Sequence, residues 1–519
     1  MKDKNYLYII GACVFTYAFY LIVEYIYTGG QMGVPLDDSW IHFRFAENFA
    51  SGYFFHYNIG QPVAGSTSPL WVVLLAAFSF ISGNYIFNSV FLSAIFHLLS
   101  CLFIYRLSLE IFSRKASTKN EAGTISLFVA IVTVLTGRLA WAGLSGMETT
   151  LFTFLCIGGI YAHIINLEQK RFTLIPSLLF ALASVTRPES FLLFGLYVID
   201  VVVNSIKEKN FNKVILPLSF GIVIFIIITT PYFVFSHFTS EHFLPTTFRG
   251  QGGRLNDFIP SKKYLEVTFT FLFRDNFIIT LLYLAGIVYY IINLRKKFFY
   301  EFRSVNLIFL WIFLLPAISS LFVPNWRHHG RYIMPLLPLI NFAAFYIYFS
   351  LSDKLKNRKL KDFALSRLAL ILIVGFSLLY YAVYARAIGM NTQNINDQQV
   401  TLAHWVDQNV GKDETIALND IGAITFITKN KVVDMAGLVS PEILRYRTYQ
   451  WQDNLDSTYY LLKNNNVSYV IIYDTWFEPF LAKYGDRFEY VRSAILEDNT
   501  ICGGEEMKVY KIHYPESEK

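Results

Sequence analysis

Residues 34–71 read VPLDDSWIHFRFAENFASGYFFHYNIGQPVAGSTSPLW, and they set the organisation of the whole chain. This polar segment lies between two apolar runs, 6–27 and 85–112, and each run is long enough for a helix that crosses a bilayer. Another apolar run, 69–82, begins at a proline and has only about 14 residues, which is typical of an interfacial or re-entrant helix. We therefore expect a long polar loop between the first two membrane spans.

The composition agrees with a membrane protein. Of the 519 residues, 54% are hydrophobic and only 16% are charged, with a mean hydropathy of +0.41. About a quarter of the residues in soluble proteins are charged, so an ordinary soluble enzyme and a disordered chain are both excluded. The net charge of +6 divides into +13 for residues 1–389 and −7 for residues 390–519. This division predicts a membrane domain, 1–389, followed by a soluble domain, 390–519.

Eleven apolar stretches predict membrane-spanning helices: 6–27, 85–112, 124–141, 149–167, 172–186, 188–204, 212–235, 276–293, 305–323, 332–352 and 365–388. The first stretch is too long for the core of a cleaved signal peptide, so we expect it to remain as a span. With a cytoplasmic N-terminus, 21 of the 32 basic residues of this domain lie on the inner side, as the positive-inside rule requires. A twelfth span at 69–82 would place the basic loop 106–121 outside, so eleven spans fit better.

This topology predicts three long segments on the outer side of the membrane: 29–84, 236–275 and the tail from about residue 390. In the tail, TIALND (415–420) and YVIIYD (469–474) have the composition of strands, whereas 396–409 and 455–464 have helical patterns. We therefore predict a small extracytoplasmic α/β domain at the C-terminus.

The first outer loop carries two adjacent carboxylates, Asp37 and Asp38. Because like charges repel, one of the two should have a raised pKa unless a cation lies between them. A carboxylate here could act as a general base on a hydroxyl, and the pair could also hold a divalent metal. A third interpretation is a helix N-cap, since SWIHFRFAENF follows directly. His42 and Arg44 lie one to two turns further along the same predicted helix.

Two shorter outer loops add charged residues. WAGLSGMETT (141–150) places Glu148 at a membrane edge, where a carboxylate is costly to bury, so either a functional role or a helix N-terminus would explain it. TRPES (186–190) places Arg187 and Glu189 at a proline break, where they could form a structural ion pair or act directly on a substrate.

Cationic side chains occur in two further outer loops. Arg249 and Arg254 lie among glycines in PYFVFSHFTSEHFLPTTFRGQGGR (231–254). The loop PNWRHHGRY (324–332) has four cationic or titratable side chains: Arg327, His328, His329 and Arg331. Such loops could contact anionic lipid headgroups, or they could bind one specific phosphate, which suits the bidentate geometry of arginine.

In their order along the chain, these motifs resemble the GT-C superfamily of membrane glycosyltransferases, and in particular the group that includes the terminal arabinofuranosyltransferase of cell-wall arabinan. The similar segments are 37–71, GMET (146–149), TRPES, LPTTF (244–248), GRYIMPLLP (330–338) and DIGAITFIT…VVDMAGLVSPEI (420–443). The chain departs from the group at Ala64, where the group has a glutamate, and at Arg249, where it commonly has a lysine.

The resemblance implies a GT-C-like membrane domain with outer interfacial helices. It also implies an inverting transfer of a sugar from a polyprenyl-phosphate donor on the outer face. Asp38 or Asp37 would be the general base, and Glu148 would orient a substrate or complete a metal site with them. The donor phosphate would meet cationic side chains: Arg249, Arg331, His328, His329 and Arg327. Side chains that would orient the substrates are Arg44, His42, Arg187 and Glu189, and residues 69–96 would hold the prenyl chain. Whether a divalent metal takes part is open.

The partners implied are the polyprenyl-phosphate-linked sugar, membrane lipids and an envelope glycan, lipid or protein as acceptor, in a bacterial inner membrane with the C-terminal domain in the periplasm. The sequence has no glycine-rich nucleotide fingerprint, and we expect no nucleic acid. Three alternatives stay open: a flippase or transporter of lipid-linked sugars, a ligase or polymerase that uses a diphosphate donor, and a binding protein with the tail as its receptor. The tryptophans of the tail fit carbohydrate binding no better than core packing: Trp405, Trp451 and Trp476.

Overall fold

The computed structural model describes residues 4–116, 118–243, 245–246, 259–297, 302–322, 328–352, 367–446 and 454–515. The helices of the membrane part are α1 Asn5–Tyr27, α2 Asp37–Ala50, α3 Pro69–Ser79, α4 Tyr85–Phe112, α5 Lys119–Val134, α6 Gly137–Leu144, α7 Thr149–Glu168, α8 Ile175–Ser184, α9 Ser190–Lys207, α10 Phe211–Ser240, α11 Lys262–Asp275, α12 Phe277–Lys297, α13 Asn306–Phe322, α14 Leu337–Ser352, α15 Arg367–Gly375 and α16 Leu378–Ile395. The C-terminal helices are α17 Thr401–Asn409, α18 Gly422–Thr428, α19 Ile443–Tyr446, α20 Leu455–Asn464 and α21 Glu478–Tyr484.

The chain is a multi-pass membrane protein, as predicted. In the described ranges, eight helical segments are long and apolar enough to cross a membrane, and the bent pair α5–α6 would make a ninth. Two shorter apolar helices, α8 and α13, occupy the predicted spans 172–186 and 305–323. The count of eleven stays a prediction, since it requires both short helices to cross. Helix α3 is short and apolar, as expected for the run at 69–82.

The predicted span at 124–141 is a bent pair of helices in the structure. Helix α5 ends at Val134, α6 begins at Gly137, and the two axes differ by 57°. A Cβ atom at Gly137 would lie 2.6 Å from the ring of Tyr384, so only glycine permits this approach of α6 to α16. The bend directs α6 towards the turn that carries Glu148.

The C-terminal domain is built on a mixed five-stranded sheet. Its strands are β3 Thr415–Leu418, β4 Lys431–Asp434, β5 Val467–Ile472, β6 Phe488–Ile495 and β7 Glu506–Ile512, in the order β4-β3-β5-β7-β6. The strands β4, β3 and β5 are parallel, and β7 and β6 are antiparallel to their neighbours. The α/β prediction is confirmed, with β3 and β5 in the two segments expected to be strands. The carboxyl ends of the parallel strands lie at one edge, where ligands commonly bind in such sheets.

The C-terminal domain docks on the first loop through the segment that follows β3 and through the outer strand β4. The loop contains α2, α3 and a small hairpin of β1 His56–Asn58 and β2 Gln61–Pro62. The Tyr57 hydroxyl donates to the Ile421 carbonyl (2.6 Å), and the Asn58 side chain bonds both backbone groups of Val432 (2.8 and 2.9 Å). Helix α16 continues through the π-helical turn Asn396–Val400 into α17, so a continuous helical path also joins the two domains.

Candidate active site at the docked edge of the C-terminal domain

Asp37 is a docking residue of the first loop. It lies in the first turn of α2, but the N-cap of that helix is Leu36, without a side-chain capping bond. The two Asp37 oxygens instead accept hydrogen bonds from the backbone N–H groups of Gly422 (2.7 Å) and Ala423 (2.8 Å). Burial, together with the charge of nearby Asp420, raises the pKa of Asp37 to about 8. Of the two adjacent carboxylates, Asp37 is therefore the one with the expected raised pKa. Both of its oxygens accept hydrogen bonds from the C-terminal domain.

Asp38 has different surroundings. Its Oδ2 atom lies 2.8 Å from Nη1 of Arg331 and 4.0 Å from Nδ1 of His328. The Asp38 side chain is 32% exposed, whereas Arg331 is only 8% exposed. A buried arginine thus fixes a carboxylate that faces open space.

The turn that carries Arg331 has an unusual backbone. His328, His329 and Gly330 all have positive φ angles, of 45°, 54° and 72°. Left-handed conformation at non-glycine residues costs about 1–3 kcal/mol each, so other contacts must stabilise the turn. The His329 carbonyl accepts from Arg138 Nη1 (3.0 Å), and His329 Nε2 lies 3.1 Å from Asn391 Oδ1. These contacts place His329 in a structural position, while His328 stays near Asp38.

Glu148 is the centre of a buried charge network. Its Oε1 atom lies 2.8 Å from Nη1 of Arg187, and its Oε2 atom lies 3.5 Å from Nε2 of His42. Arg187 also contacts Glu189 at 2.6 Å. Burial by itself would raise the pKa of Glu148, but the neighbouring His42 imidazole and the charge of Arg187 outweigh it and hold the pKa well below its usual range. Glu148 is therefore a permanently charged group.

Backbone carbonyls of the preceding turn hold Glu148 in place. Ser39 Oγ donates to the Ser145 carbonyl (2.7 Å) and Trp71 Nε1 to the Gly146 carbonyl (3.1 Å). Both donors come from the first loop, so α2 and α3 position the network of Glu148 as well as Asp38.

The remaining predicted residues are distributed differently. Arg44 pairs with Glu47 (3.0 Å), which also contacts Lys429 of the C-terminal domain (2.5 Å). The cations of the other loops, Arg249, Arg254 and Arg327, lie outside the described residues, as does Trp451.

The candidate metal ligands are all engaged by N–H donors. Asp37 accepts backbone N–H groups, Asp38 contacts Arg331, and Glu148 contacts Arg187. In the part of the chain that the structure describes, no three His, Cys, Asp or Glu residues form a group suited to a metal ion. This geometry gives no support to a metal site.

The sequence interpretation missed two parts of this region. Arg138 forms a buried bidentate ion pair with Asp275 (Nε to the carboxylate oxygens, 2.8 and 2.9 Å), below the His329 turn. An arginine inside an apolar stretch was the available signal. Asp420 follows β3 and lies 3.1 Å from Gln399 Nε2 and 2.9 Å from the Tyr473 hydroxyl. Asp420 lies close enough to Asp37 to affect its pKa, although the two residues are almost 400 positions apart in the sequence. No local pattern predicts this proximity.

These groups border a cleft of about 540 Å³ between the first loop, the His328 turn and the C-terminal domain. Its lining comprises Leu36, Asp37, Asp38, His328, His329, Ile395, Gln399, Asp420, Trp476, Asn499, Thr500, Ile501, Cys502 and Gly503. The cleft brings together three distant parts of the chain, and Asp38 is the lining carboxylate that is fixed by an arginine.

The bundle, the first loop and the docked domain together have the GT-C fold. The crystal structure of ArnT from Cupriavidus metallidurans bound to undecaprenyl phosphate is similar with a TM-score of 0.60 and 13% identity, covering 96% of this chain and 98% of that one. An oligosaccharyltransferase from Archaeoglobus fulgidus is similar with a TM-score of 0.56 and 12% identity, covering 91% of this chain and 70% of that one. A mycobacterial arabinofuranosyltransferase, AftD, gives a TM-score of 0.50 and 14% identity, covering 97% of this chain and 41% of that one.

Comparison of the sequence with known families covers only the C-terminal part of the chain. Residues 393–510 match a family model described as a domain of unknown function (DUF8728), which covers the C-terminal domain. No curated protein matches the chain in sequence. The GT-C resemblance of the motifs is confirmed at the level of the fold.

Proposed function

We propose that the chain is a membrane glycosyltransferase that transfers a sugar from a polyprenyl-phosphate donor to an envelope glycan, lipid or protein at the outer face of a bacterial inner membrane. The observation that carries the proposal is the Asp38–Arg331 pair at an open cleft in a chain with the GT-C fold. The similarity to a structure that contains undecaprenyl phosphate supports the class of donor.

Asp38 is the better candidate for the general base. Both carboxylates line the cleft, but both oxygens of Asp37 accept backbone hydrogen bonds from the C-terminal domain, whereas Asp38 contacts the Arg331 side chain. In the proposed step the acceptor oxygen forms a bond to the anomeric carbon from the face opposite the phosphate, and its proton passes to Asp38. The bond between the anomeric carbon and the phosphate oxygen breaks, and its electron pair stays on the phosphate. The configuration is inverted.

Arg331 is placed to interact with both charged groups of this step, the Asp38 carboxylate and the leaving phosphate. It orients Asp38 through Nη1, while its buried Nε donates to no protein acceptor in the described part of the chain. Negative charge grows on the leaving phosphate, and a preorganised cation stabilises that charge in the transition state. The predicted cations Arg249 and Arg327 belong to the same proposal, and His328 adds a titratable group beside Asp38.

The Glu148 network is proposed to orient the sugar and to hold α2. Glu148 stays charged, and His42 of α2 lies 3.5 Å from it. Arg187 also lies 5.0 Å from the ring of Tyr332, next to Arg331. A change at Glu148 would therefore reach Arg331 through neighbouring groups.

The test is transfer by purified protein in liposomes that contain undecaprenyl-phosphate-linked sugars, with an envelope extract from cells that lack the gene as acceptor. Asp38→Asn should insert normally and lose about 10²–10⁴-fold in the rate of transfer, because general base catalysis contributes about that factor. Asp413→Asn is the matched control, since Asp413 is exposed on the C-terminal domain. Full activity of Asp38→Asn would refute the base, and flipping of the donor without transfer would refute the proposed function.

A further inference from the structure

The cleft beside Asp38 has a charge that restricts what it can hold. Three carboxylates line it, Asp37, Asp38 and Asp420, and among the described residues that border it there is no lysine or arginine. Burial raises the pKa of Asp420, and the charge of Asp38 raises it further. Another anion in this space would add to the same repulsion. The donor phosphate therefore belongs on the Arg331 side of Asp38, and the cleft suits an uncharged occupant rich in hydroxyl groups.

The C-terminal domain supplies an aromatic ring to the cleft. Trp476 is 37% exposed, and its Nε1 donates to the Gly503 carbonyl (3.1 Å). The ring lies 5.5 Å from that of Tyr473. A Cβ atom at Gly503 would come within 2.7 Å of the Trp476 ring, so the glycine permits this close packing. Trp476 is thus an exposed but fixed aromatic surface, which the sequence did not distinguish from a core tryptophan.

Polar groups lie around this ring. Gln399, Asp420, Asn499 and Thr500 line the same cleft and offer amide, carboxylate and hydroxyl groups. Sites for small ligands occupy about 300–1,000 Å³ and combine aromatic surface with a few oriented polar groups, and the cleft volume of about 540 Å³ falls within that range. Sugar rings present both C–H faces and hydroxyl groups, and so match this lining.

We propose that the cleft between the C-terminal domain and the first loop binds the acceptor as a neutral glycan, with Trp476 as its packing surface and Asp38 beside the hydroxyl that reacts. This inference rests on the proposed function, because only a transferase has an acceptor. The recognition of a neutral glycan stands on the charge and the lining of the cleft.

The kinetic test varies the acceptor and the donor separately. The acceptor is the neutral fraction, separated by anion exchange, of an envelope extract from cells that lack the gene. Trp476→Ala should raise the half-saturating amount of this fraction about tenfold, because a lost aromatic contact weakens binding by about that factor, and should leave the half-saturating donor concentration unchanged. Trp476→Phe should recover part of the loss, which separates the loss of a packing surface from misfolding.

Trp405→Ala is the matched control. Trp405 packs against Tyr469 at a ring distance of 6.4 Å and does not line the cleft. If Trp476→Ala leaves the acceptor dependence unchanged, or shifts the donor dependence equally, the cleft is not the acceptor site. The inference is likewise overturned if the acidic fraction of the extract is a better acceptor than the neutral one.

A second readout is independent of transfer. Cys502 lines the cleft, whereas the other three cysteines are buried in the membrane part. The neutral fraction should slow the reaction of Cys502 with a small methanethiosulfonate, which forms a mixed disulfide with the thiol and releases methanesulfinate, and Trp476→Ala should abolish this protection. Protection without any sugar transfer would refute the proposed function and leave glycan binding intact. Transfer that depends on Asp38, without protection, would refute the cleft as the acceptor site and leave the transferase intact.

Discussion

Two neighbouring carboxylates on one helix have different surroundings, and their chemistry follows from those surroundings. Asp37 accepts two backbone N–H groups of the C-terminal domain, and Asp38 faces Arg331 and the cleft. One residue therefore joins two domains, while the next pairs with an arginine at the cleft.

Asp37 should make stability depend on pH. Its pKa is raised from an ordinary 3.8 to about 8, so the folded state binds the proton more tightly than the unfolded state. This contribution to stability is present at low pH and is lost as the pH rises from about 4 to about 8. The thermal midpoint of the wild type minus that of Asp37→Asn should therefore fall over this range and level off above it. A difference that stays constant with pH would contradict the assignment.

The buried charges of Glu148 and Arg187 should be coupled. Glu148→Gln removes a buried charge that faces Arg187 and His42, and we expect a loss of about 1–3 kcal/mol in stability together with slower transfer. Arg187→Met should cost less in the Glu148→Gln background than in the wild type, which thermal unfolding of the four proteins would measure. The exposed Glu497→Gln is the control. Additive effects would mean that the two groups act independently.

At the scale of elements, helix α2 contacts the membrane domain and the C-terminal domain with different residues, because its helical period directs them to different faces. Asp38 and His42 are four residues apart and share a face, which meets Arg331 and Glu148. Trp40 and Phe43 pack on Phe426 of α18, with ring distances of 5.5 and 5.9 Å. The docking of α18 on α2 thus fixes the direction of Asp38.

A glycine makes this docking possible. A Cβ atom at Gly422 would lie 2.1 Å from the Asp37 carbonyl oxygen. Gly422→Ala should therefore separate the C-terminal domain from α2, increase proteolysis between the domains and lower transfer. Gly485→Ala in the same domain should have little effect, because no atom lies within 4 Å of the added Cβ. Equal behaviour of the two variants would show that the contact with Asp37 does not hold the domain.

At the scale of the whole molecule, the proposed topology places the cleft and the C-terminal domain outside the cytoplasm. In a Cys502→Ser background, a cysteine at exposed position Asp413 should react with a membrane-impermeant maleimide in intact spheroplasts. A cysteine at Lys209, in the turn between α9 and α10, should react only after lysis. The opposite pattern would show the reverse orientation. Labelling of both cysteines before lysis would show that no sealed membrane separates the two positions.

The sequence by itself determined the membrane class, the short helix α3, the α/β tail and the loops that carry Asp37, Asp38 and Glu148. It could do so because apolar length, charge bias and strand composition are local properties of the chain. The bend between α5 and α6 was not predicted, since it depends on the space between Gly137 and the ring of Tyr384.

Only the tertiary structure decided which partner each carboxylate has and which other groups join them at the cleft. Asp37 is occupied because Gly422 and Ala423 meet it, and these residues are separated from it by almost the whole membrane domain. Asp420 and Trp476 reach the same cleft because the carboxyl ends of β3 and β5 share one edge of the sheet. Electrostatics and packing act through space, so the roles of these side chains follow from which distant segments the fold brings within a few ångströms.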